Sequence, residues 1–277
     1  MRPIVNAAKI TRESKSNLAL AFVALGRERR QDITVFYAFC RVIDDIADAT
    51  ETTAGEKERA LGDWRRWLRG REPDEAALAR DLRALIAKYS LTVPMLEEII
   101  DGVEMDLRNV RYETFEELRV YCYRVASAVG LVSIEIFGYR NPACRDYAIQ
   151  LGFALQVTNI IRDVGKDLSN ARIYLPQEDL ARFGYSEADL RERRYSEAFL
   201  RLMQFEAERA EEFFARAAAL LPREDRRSMV AAEIMASVYR TLLERMKSDG
   251  FRVFEKEYRL NKIEKAGRVA AKLLRFR

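Results

Sequence analysis

The chain has 277 residues, 49% hydrophobic and 33% charged, so it can build a sizeable core beneath a charged surface. Lys and Arg exceed Asp and Glu by only 48 to 44, a mild excess that argues against a nucleic-acid-binding protein. Histidine is absent, which excludes Ser-His-Asp and Cys-His catalysis and zinc sites with histidine ligands.

Glycine and proline are scarce, at 12 and 6 residues, and helical periodicity runs through nearly the whole sequence. This predicts an all-α fold, a single helical bundle domain over residues 1–277. In such a bundle the ligand site lies in a central cavity between facing helices. In chain order, the predicted helices cover residues 15–26, 29–48, 55–70, 74–88, 93–108, 114–137, 142–168, 177–183, 186–192, 195–220, 223–248 and 261–275.

The cysteines, Cys40, Cys122 and Cys144, form no CxxC motif and lie in apolar sequence. This predicts buried free thiols in a reducing compartment. We find no apolar signal-peptide core and no run of about 18 apolar residues. We therefore expect a cytoplasmic protein. The basic stretch 252–277 suits a solvated surface, peripheral contact with an anionic membrane or contact with a diphosphate substrate. The sequence gives no indication of the oligomeric state.

A first acidic segment lies in the predicted helix 29–48, where the charged residues from position 33 onward are Arg41, Asp44, Asp45 and Asp48. A helix that is apolar around most of its circumference is normally buried. Buried carboxylates without partners cost several kcal/mol or shift their pKa. The segment therefore predicts a cation beside these carboxylates.

A second acidic segment follows more than a hundred residues later, with Asn159, Asp163 and Asp167 spaced by four on one helix face. In the first segment, Asp44 and Asp48 also share a face and repel each other. Mg²⁺ prefers oxygen ligands and binds through one or two carboxylates together with substrate phosphates. The two segments therefore predict two facing carboxylate-bearing helices with Mg²⁺ between them.

Each signal has a simpler interpretation when it is taken alone. A lone DxxxD pair is common on solvated helix faces. An arginine beside it, such as Arg41 or Arg162, can be an ordinary salt-bridge partner, a role that is compatible with binding diphosphate oxygens. Asp106 is either a third acid of the site or a surface residue. Tyr121 precedes small residues that suit either a bound ligand or close helix packing, and Tyr239 belongs either to the core or to the cavity.

Four segments together resemble the squalene/phytoene synthase family, in its order and approximate spacing. They read YAFCRVIDDIAD (37–48), YCYRVASAVG (121–130), LGFALQVTNIIRDVGKD (151–167) and RIYLP (172–176). With weaker similarity at residues 14–16 and around Tyr239, the resemblance covers most of the chain. The segment 124–137 is most similar to the bacterial presqualene diphosphate synthases of hopanoid and squalene biosynthesis.

The resemblance implies an all-α isoprenoid synthase fold and a role for each matching residue. The implied Mg²⁺ ligands are Asp44, Asp48, Asn159, Asp163 and Asp167. Substrate diphosphate would be bound by Ser14, Lys15, Ser16, Tyr37, Arg41, Gln156, Arg162, Arg172 and Tyr239. The prenyl tunnel would be lined by Tyr121, Val125, Ala126 and Gly130. Tyr37 and Arg41 would join Asp44, Asp48, Asp163 and Asp167 as catalytic residues.

The sequence departs from the family pattern at a few positions. Lys166 stands where the second motif usually has Glu, but the Asp163 and Asp167 pair is intact, so we expect activity to survive. Asn17 and Ala21 stand where relatives often carry aromatic residues. Smaller side chains there put the depth of the tunnel, and hence the length of the prenyl chain, in question.

The resemblance implies a prenyltransferase that condenses two farnesyl diphosphates head to head to presqualene diphosphate. Either the released diphosphate or a tyrosine such as Tyr37 would accept the proton that is lost. NADPH would be needed only if the reaction continued to squalene. The closest alternative is a phytoene synthase that uses two geranylgeranyl diphosphates. Alternatives of another class are a non-catalytic scaffold relative and a helical membrane-surface module.

Overall fold

Every regular element that the structure describes is helical, which confirms the predicted all-α fold. The structure is a computed structural model that describes residues 21–70, 72–108 and 111–275. Its α-helices are α1 (Arg27–Asp48), α2 (Ala54–Arg69), α3 (Ala77–Lys88), α4 (Val93–Met105), α5 (Phe115–Cys122), α6 (Ala128–Phe137), α7 (Ala143–Ser169), α8 (Gln177–Phe183), α9 (Glu187–Arg191), α10 (Glu197–Leu220), α11 (Val230–Ser248) and α12 (Lys262–Arg275).

The predicted helices differ from the observed ones mainly at their ends. The predicted helix 15–26 lies largely outside the described residues, and only a 3₁₀ turn, Phe22–Ala24, is seen there. The predicted helix 223–248 starts as a 3₁₀ turn, Arg223–Asp225, and becomes α-helical only at Val230. Prediction of a helix over 177–183 is confirmed at both ends.

Helix α7 is the central element of the bundle. It packs along α10 and also contacts α5, α6 and α11. Most of its middle is buried, including Leu151, Ala154 and Ile161, because apolar residues recur on more than one of its faces. The first acidic helix, α1, contacts α2, α3, α4 and α6. The two predicted acidic segments are therefore held by elements of one hydrophobic core.

One helical stretch within the described ranges, Phe115–Phe137, is long and apolar enough to cross a membrane. More than half of its most apolar window, 56%, is buried inside the protein, which is typical of a core helix. All of the cysteines are buried free thiols, as predicted. The cytoplasmic location, the membrane contact of the basic C-terminal stretch and the single-domain organisation stay predictions.

A π-helical turn, Tyr123–Ser127, joins α5 to α6 where the sequence predicts an uninterrupted α-helix. The turn is packed between two glycines. A Cβ atom added to Gly102 would lie 2.7 Å from the Cβ of Arg124, and one added to Gly152 would lie 2.5 Å from the Cα of Ser127. The Ser127 hydroxyl also donates to the carbonyl oxygen of Ile149 at 2.9 Å. The wide turn is thus fixed directly against α4 and α7.

This close approach predicts opposite effects of Gly→Ala at two helical sites. Gly152→Ala would force backbone apart and should lower the free energy of unfolding by ~1–3 kcal/mol. Gly62→Ala in α2 meets nothing within 4 Å and should raise it by ~0.5–1 kcal/mol, because alanine loses less backbone entropy on folding. Urea unfolding of both variants measures the difference. Equal effects would contradict the tight packing at the π turn.

Candidate active site

The two acidic segments meet at the loop that follows α7. Arg172 in this loop donates from Nη1 to the Asp48 carboxylate of α1 at 2.9 Å. Arg172 also lies close enough to Asp167, near the end of α7, to lower the pKa of that carboxyl. Because Arg172 interacts with acids of both helices, the carboxylates of α1 and α7 face a common space.

A third acid, Asp106, lies directly after α4 on the same side of the bundle. Its carboxylate accepts hydrogen bonds from the hydroxyls of Tyr174 at 2.7 Å and Tyr121 at 3.1 Å. The rings of these two tyrosines stack with centroids 5.1 Å apart. Asp106 is therefore held in place by two hydroxyls and is part of the acidic cluster, which removes the alternative of a simple surface residue.

The carboxylates of this cluster raise one another's pKa. Burial raises the pKa of Asp44 to about 7, with Arg41 opposing the shift and the charges of Asp48 and Asp106 adding to it. Asp44 is nevertheless an exposed residue, so the side chains that crowd its carboxyl leave it open to solvent. Arg41 compensates only part of this shift, so the cluster favours a further positively charged ligand.

Asp167 shows the same behaviour on α7. Burial, followed by the charge of Asp163, raises the pKa of Asp167 to about 7, whereas Lys166 and Arg172 oppose the shift. Asp106 contributes here as well as to Asp44. Since interactions between charges weaken beyond ~10 Å, the acids of α1, α4 and α7 lie within electrostatic reach of one another.

Polar residues of α7 continue the site toward its centre. Arg162 forms a two-pronged ion pair with Asp163, with Nε 2.9 Å from Oδ1, and its guanidinium lies 6.0 Å from the Tyr239 ring centroid. One turn earlier, the Asn159 amide donates to Gln156 at 3.3 Å. The Asn159 Oδ1 atom is buried and has no hydrogen-bond partner among the described residues. Such an orphaned oxygen is costly and is suited to a ligand that accepts its lone pair.

Two predicted residues of α1 are engaged in local contacts. Arg41 forms an ion pair with Asp45 one turn later, as an ordinary salt-bridge partner does. Part of the Arg41 side chain stays exposed. Tyr37 is buried and packs edge-to-face against Phe22, with centroids 6.0 Å apart. The structure therefore places Tyr37 in the hydrophobic core and Arg41 at the partly exposed surface of α1.

An apolar cavity of about 180 Å³ lies beneath these polar residues of α7. It brings together three of the four predicted tunnel residues, two predicted diphosphate-binding residues and one predicted metal ligand. These residues are Val125, Ala126, Gly130, Gln156, Asn159 and Tyr239. Since Val125 and Ala126 belong to the π turn, the cavity wall depends on that irregular backbone.

Tyr121 is not among the residues that line this cavity. It instead packs with Tyr112 and Tyr174 and donates to Asp106, because its ring points from α5 toward the RIYLP loop. Sequence reasoning missed Tyr112 and Tyr174, although Tyr174 lies in a quoted motif two residues after Arg172. Ser14, Lys15, Ser16 and Asn17 lie outside the described residues.

The residues present fit a divalent cation that is shared with a ligand. In the part of the chain that the structure describes, no group of three or more Asp, Glu or Cys side chains surrounds one metal position. The acids instead contribute from separate helices, with the orphaned oxygen of Asn159 nearby. Hard oxygen donors of this kind suit Mg²⁺ completed by phosphate oxygens.

Comparison with known proteins decides the family. The model of the squalene/phytoene synthase family matches residues 11–265. The chain belongs to the squalene/phytoene synthase family. Its members are prenyltransferases that join two prenyl diphosphates head to head, and this chain is a prenyltransferase of that type.

Individual relatives agree with the family. The chain is 35% identical over 266 residues to the 15-cis-phytoene synthase of Synechococcus elongatus, which covers 90% of this chain and 85% of the relative. It is 34% identical over 277 residues to the phytoene synthase of Mycobacterium tuberculosis. This match covers 95% of this chain and 88% of the relative. A ligand-bound dehydrosqualene synthase is similar in structure, with a TM-score of 0.84, 26% identity and coverage of 97% and 94%. Squalene synthase HpnC from Alicyclobacillus acidocaldarius is also similar in structure, with a TM-score of 0.78 and 28% identity. The match covers 88% of this chain and 93% of HpnC.

The clustered acids predict that a prenyl diphosphate binds only together with a divalent cation. An unreactive prenyl thiodiphosphate at about 100 times its Kd should raise the Tm by about 5 °C in Mg²⁺, and much less in EDTA. Asp44→Ala and Asp163→Ala should lose most of this increase. Asp146→Ala, an exposed acid at the far end of α7, should keep it. Differential scanning fluorimetry measures these shifts, and an undiminished increase in both active-site variants would contradict the prediction.

Proposed function

We propose that this prenyltransferase condenses two geranylgeranyl diphosphates head to head in a Mg²⁺-dependent reaction, as a phytoene synthase does. The observation that carries the proposal is the 34–35% identity to phytoene synthases over at least 90% of the chain. The comparisons thus favour the alternative over the initial expectation of farnesyl diphosphate.

A second candidate is the condensation of two farnesyl diphosphates to presqualene diphosphate. It is supported by the structural similarity to dehydrosqualene synthase and to squalene synthase HpnC at 26% and 28% identity. The resemblance of segment 124–137 to presqualene diphosphate synthases points the same way. The lower identities place this candidate second. NADPH would take part only if the reaction went on to squalene.

The first chemical step in this proposal is departure of one diphosphate with the electron pair of its C1–O bond. Arginine forks and amide donors at the top of the cavity would bind the departing oxygens. The proposed binding residues are Arg41, Gln156, Arg162 and Arg172, with Tyr239 beside them. Since Arg162 and Arg172 already pair with acids, diphosphate would compete for guanidinium groups that are held in position.

The proposed metal ligands are the acids and the amide of the two facing helices. They are Asp44, Asp48, Asn159, Asp163 and Asp167. When Mg²⁺ is bound there, it would neutralise charge that develops on the leaving oxygens. The residues themselves supply the oxygen donors, and Asp106 increases the negative potential that attracts the cation.

Carbon–carbon bond formation would take place beside the apolar cavity. The C2–C3 double bond of the second substrate attacks the allylic cation, and a proton is then lost to the released diphosphate as a cyclopropane ring closes. The cavity walls are mostly apolar, which would disfavour water that could trap the cation. Val125, Ala126 and Gly130 are proposed to contact the prenyl chains.

Product analysis distinguishes the two candidates. Purified protein is incubated with Mg²⁺ and equal concentrations of farnesyl and geranylgeranyl diphosphate, with and without NADPH. The first candidate predicts at least about tenfold more C40 than C30 product. The reason is that hydrophobic sites discriminate by ~10-fold or more between chains that differ in length. Mass spectrometry measures the ratio. A dominant C30 product would assign the second candidate, and the absence of both products would contradict the proposed activity.

A further inference from the structure

A second and larger recess lies behind the apolar cavity. It is a groove of about 790 Å³ between α7, α10, α11 and α12, with charged residues that include Arg240, Arg268 and Lys272 on its walls. Only Tyr147 and Leu151 line both the groove and the cavity among the described residues. These two side chains of α7 therefore form the partition between the two spaces.

Tyr147 lies where a prenyl chain anchored at the acids would end. It precedes Gln156 on α7 by about 14 Å and Asp163 by about 24 Å, at ~1.5 Å per residue. The distance to Asp163 is comparable to the length of an extended geranylgeranyl chain. A chain that runs along α7 from the diphosphate site would therefore meet the Tyr147 ring.

The Tyr147 ring is held across this end of the cavity by two other elements. Its side chain is only 1% exposed, and its hydroxyl donates to Oε1 of Glu233 on α11 at 3.0 Å. The second carboxylate oxygen of Glu233 accepts from Lys272 on α12 at 2.9 Å. Because both oxygens of Glu233 are engaged, the acceptor is fixed and the tyrosine ring has a single favourable orientation.

The size of the cavity makes this partition relevant to specificity. At about 180 Å³ it is smaller than the ~300–1,000 Å³ of ordinary ligand pockets, so prenyl chains have little spare room. The groove beyond the partition would supply several times that volume. Removing the partition would therefore lengthen the available space much more than enlarging either wall alone.

We propose that Tyr147 closes the far end of the prenyl cavity and sets the longest prenyl chain that the enzyme accepts. This inference rests on the proposed function of the same site. Replacing the ring by a small side chain would join the cavity to the groove and admit a longer chain. Tyr147 acts by occupying space, so loss of its hydroxyl alone would change the limit little.

The test compares the binding of unreactive C20 and C25 prenyl thiodiphosphates by titration calorimetry in Mg²⁺. Tyr147→Ala should increase the ratio of C25 to C20 affinity at least about tenfold, since small differences in hydrophobic contact change selectivity by ~10–200-fold. Tyr147→Phe, which keeps the ring, should change the ratio less than about threefold. Leu221→Ala, which enlarges only the groove, is the matched control and should leave the ratio unchanged.

An unchanged ratio in a folded Tyr147→Ala variant would overturn the inference, as would an equal increase in Leu221→Ala. If Tyr147→Ala does not fold, Tyr147→Leu takes its place in the test. The ratio of C25 to C20 affinity should then increase about threefold or more, and an unchanged ratio would contradict the inference. Binding is read separately from turnover. A wild-type protein that binds these analogues but makes no product would contradict the proposed function alone, whereas one that binds neither analogue would overturn both.

Discussion

The partial desolvation of neighbouring carboxylates, together with their mutual repulsion, is the constraint on which the rest of the site depends. Asp44 on α1 and Asp167 on α7 both have their pKa raised to about 7, and both are affected by Asp106. Asp48 and Asp163 have arginine partners, but the raised pKa values of Asp44 and Asp167 mean that the cluster lowers folding stability at neutral pH. A bound divalent cation would offset this cost and leave coordination positions for phosphate oxygens, so the cluster is best explained as a cation-binding site.

Helix α7 connects this charge to the apolar chemistry. Asp163 and Asp167 lie in its C-terminal part, and Gln156 and Asn159 lie near its middle. Tyr147 lies near its N-terminus, where it separates the cavity from the groove. One rigid helix therefore sets the distance between the diphosphate and the far end of the prenyl chain. The π turn packed against Gly152 supplies the opposite wall, so cavity shape depends on a backbone irregularity as much as on side chains.

Much of the fold and part of the site could be predicted from the sequence. Periodic apolar residues locate helices such as Gln177–Phe183, and carboxylates in apolar sequence locate Asp44 and Asp163. The π turn could not be predicted, because it depends on glycines of other helices that allow close approach. The hydrogen bonds of Tyr174 and Tyr121 to Asp106 were missed for a related reason: they join a loop, α5 and the end of α4, and no local spacing indicates them.

The central claim is that the acids of α1 and α7 bind one cation–diphosphate assembly between them. Anomalous diffraction from crystals grown with Mn²⁺ and an unreactive prenyl thiodiphosphate tests it most directly. The account predicts manganese peaks within coordination distance of Asp44 or Asp48 and of Asp163 or Asp167, with diphosphate oxygens bridging them and the prenyl chain pointing toward Tyr147. Manganese or diphosphate bound elsewhere, with these acids uncoordinated, would contradict the account.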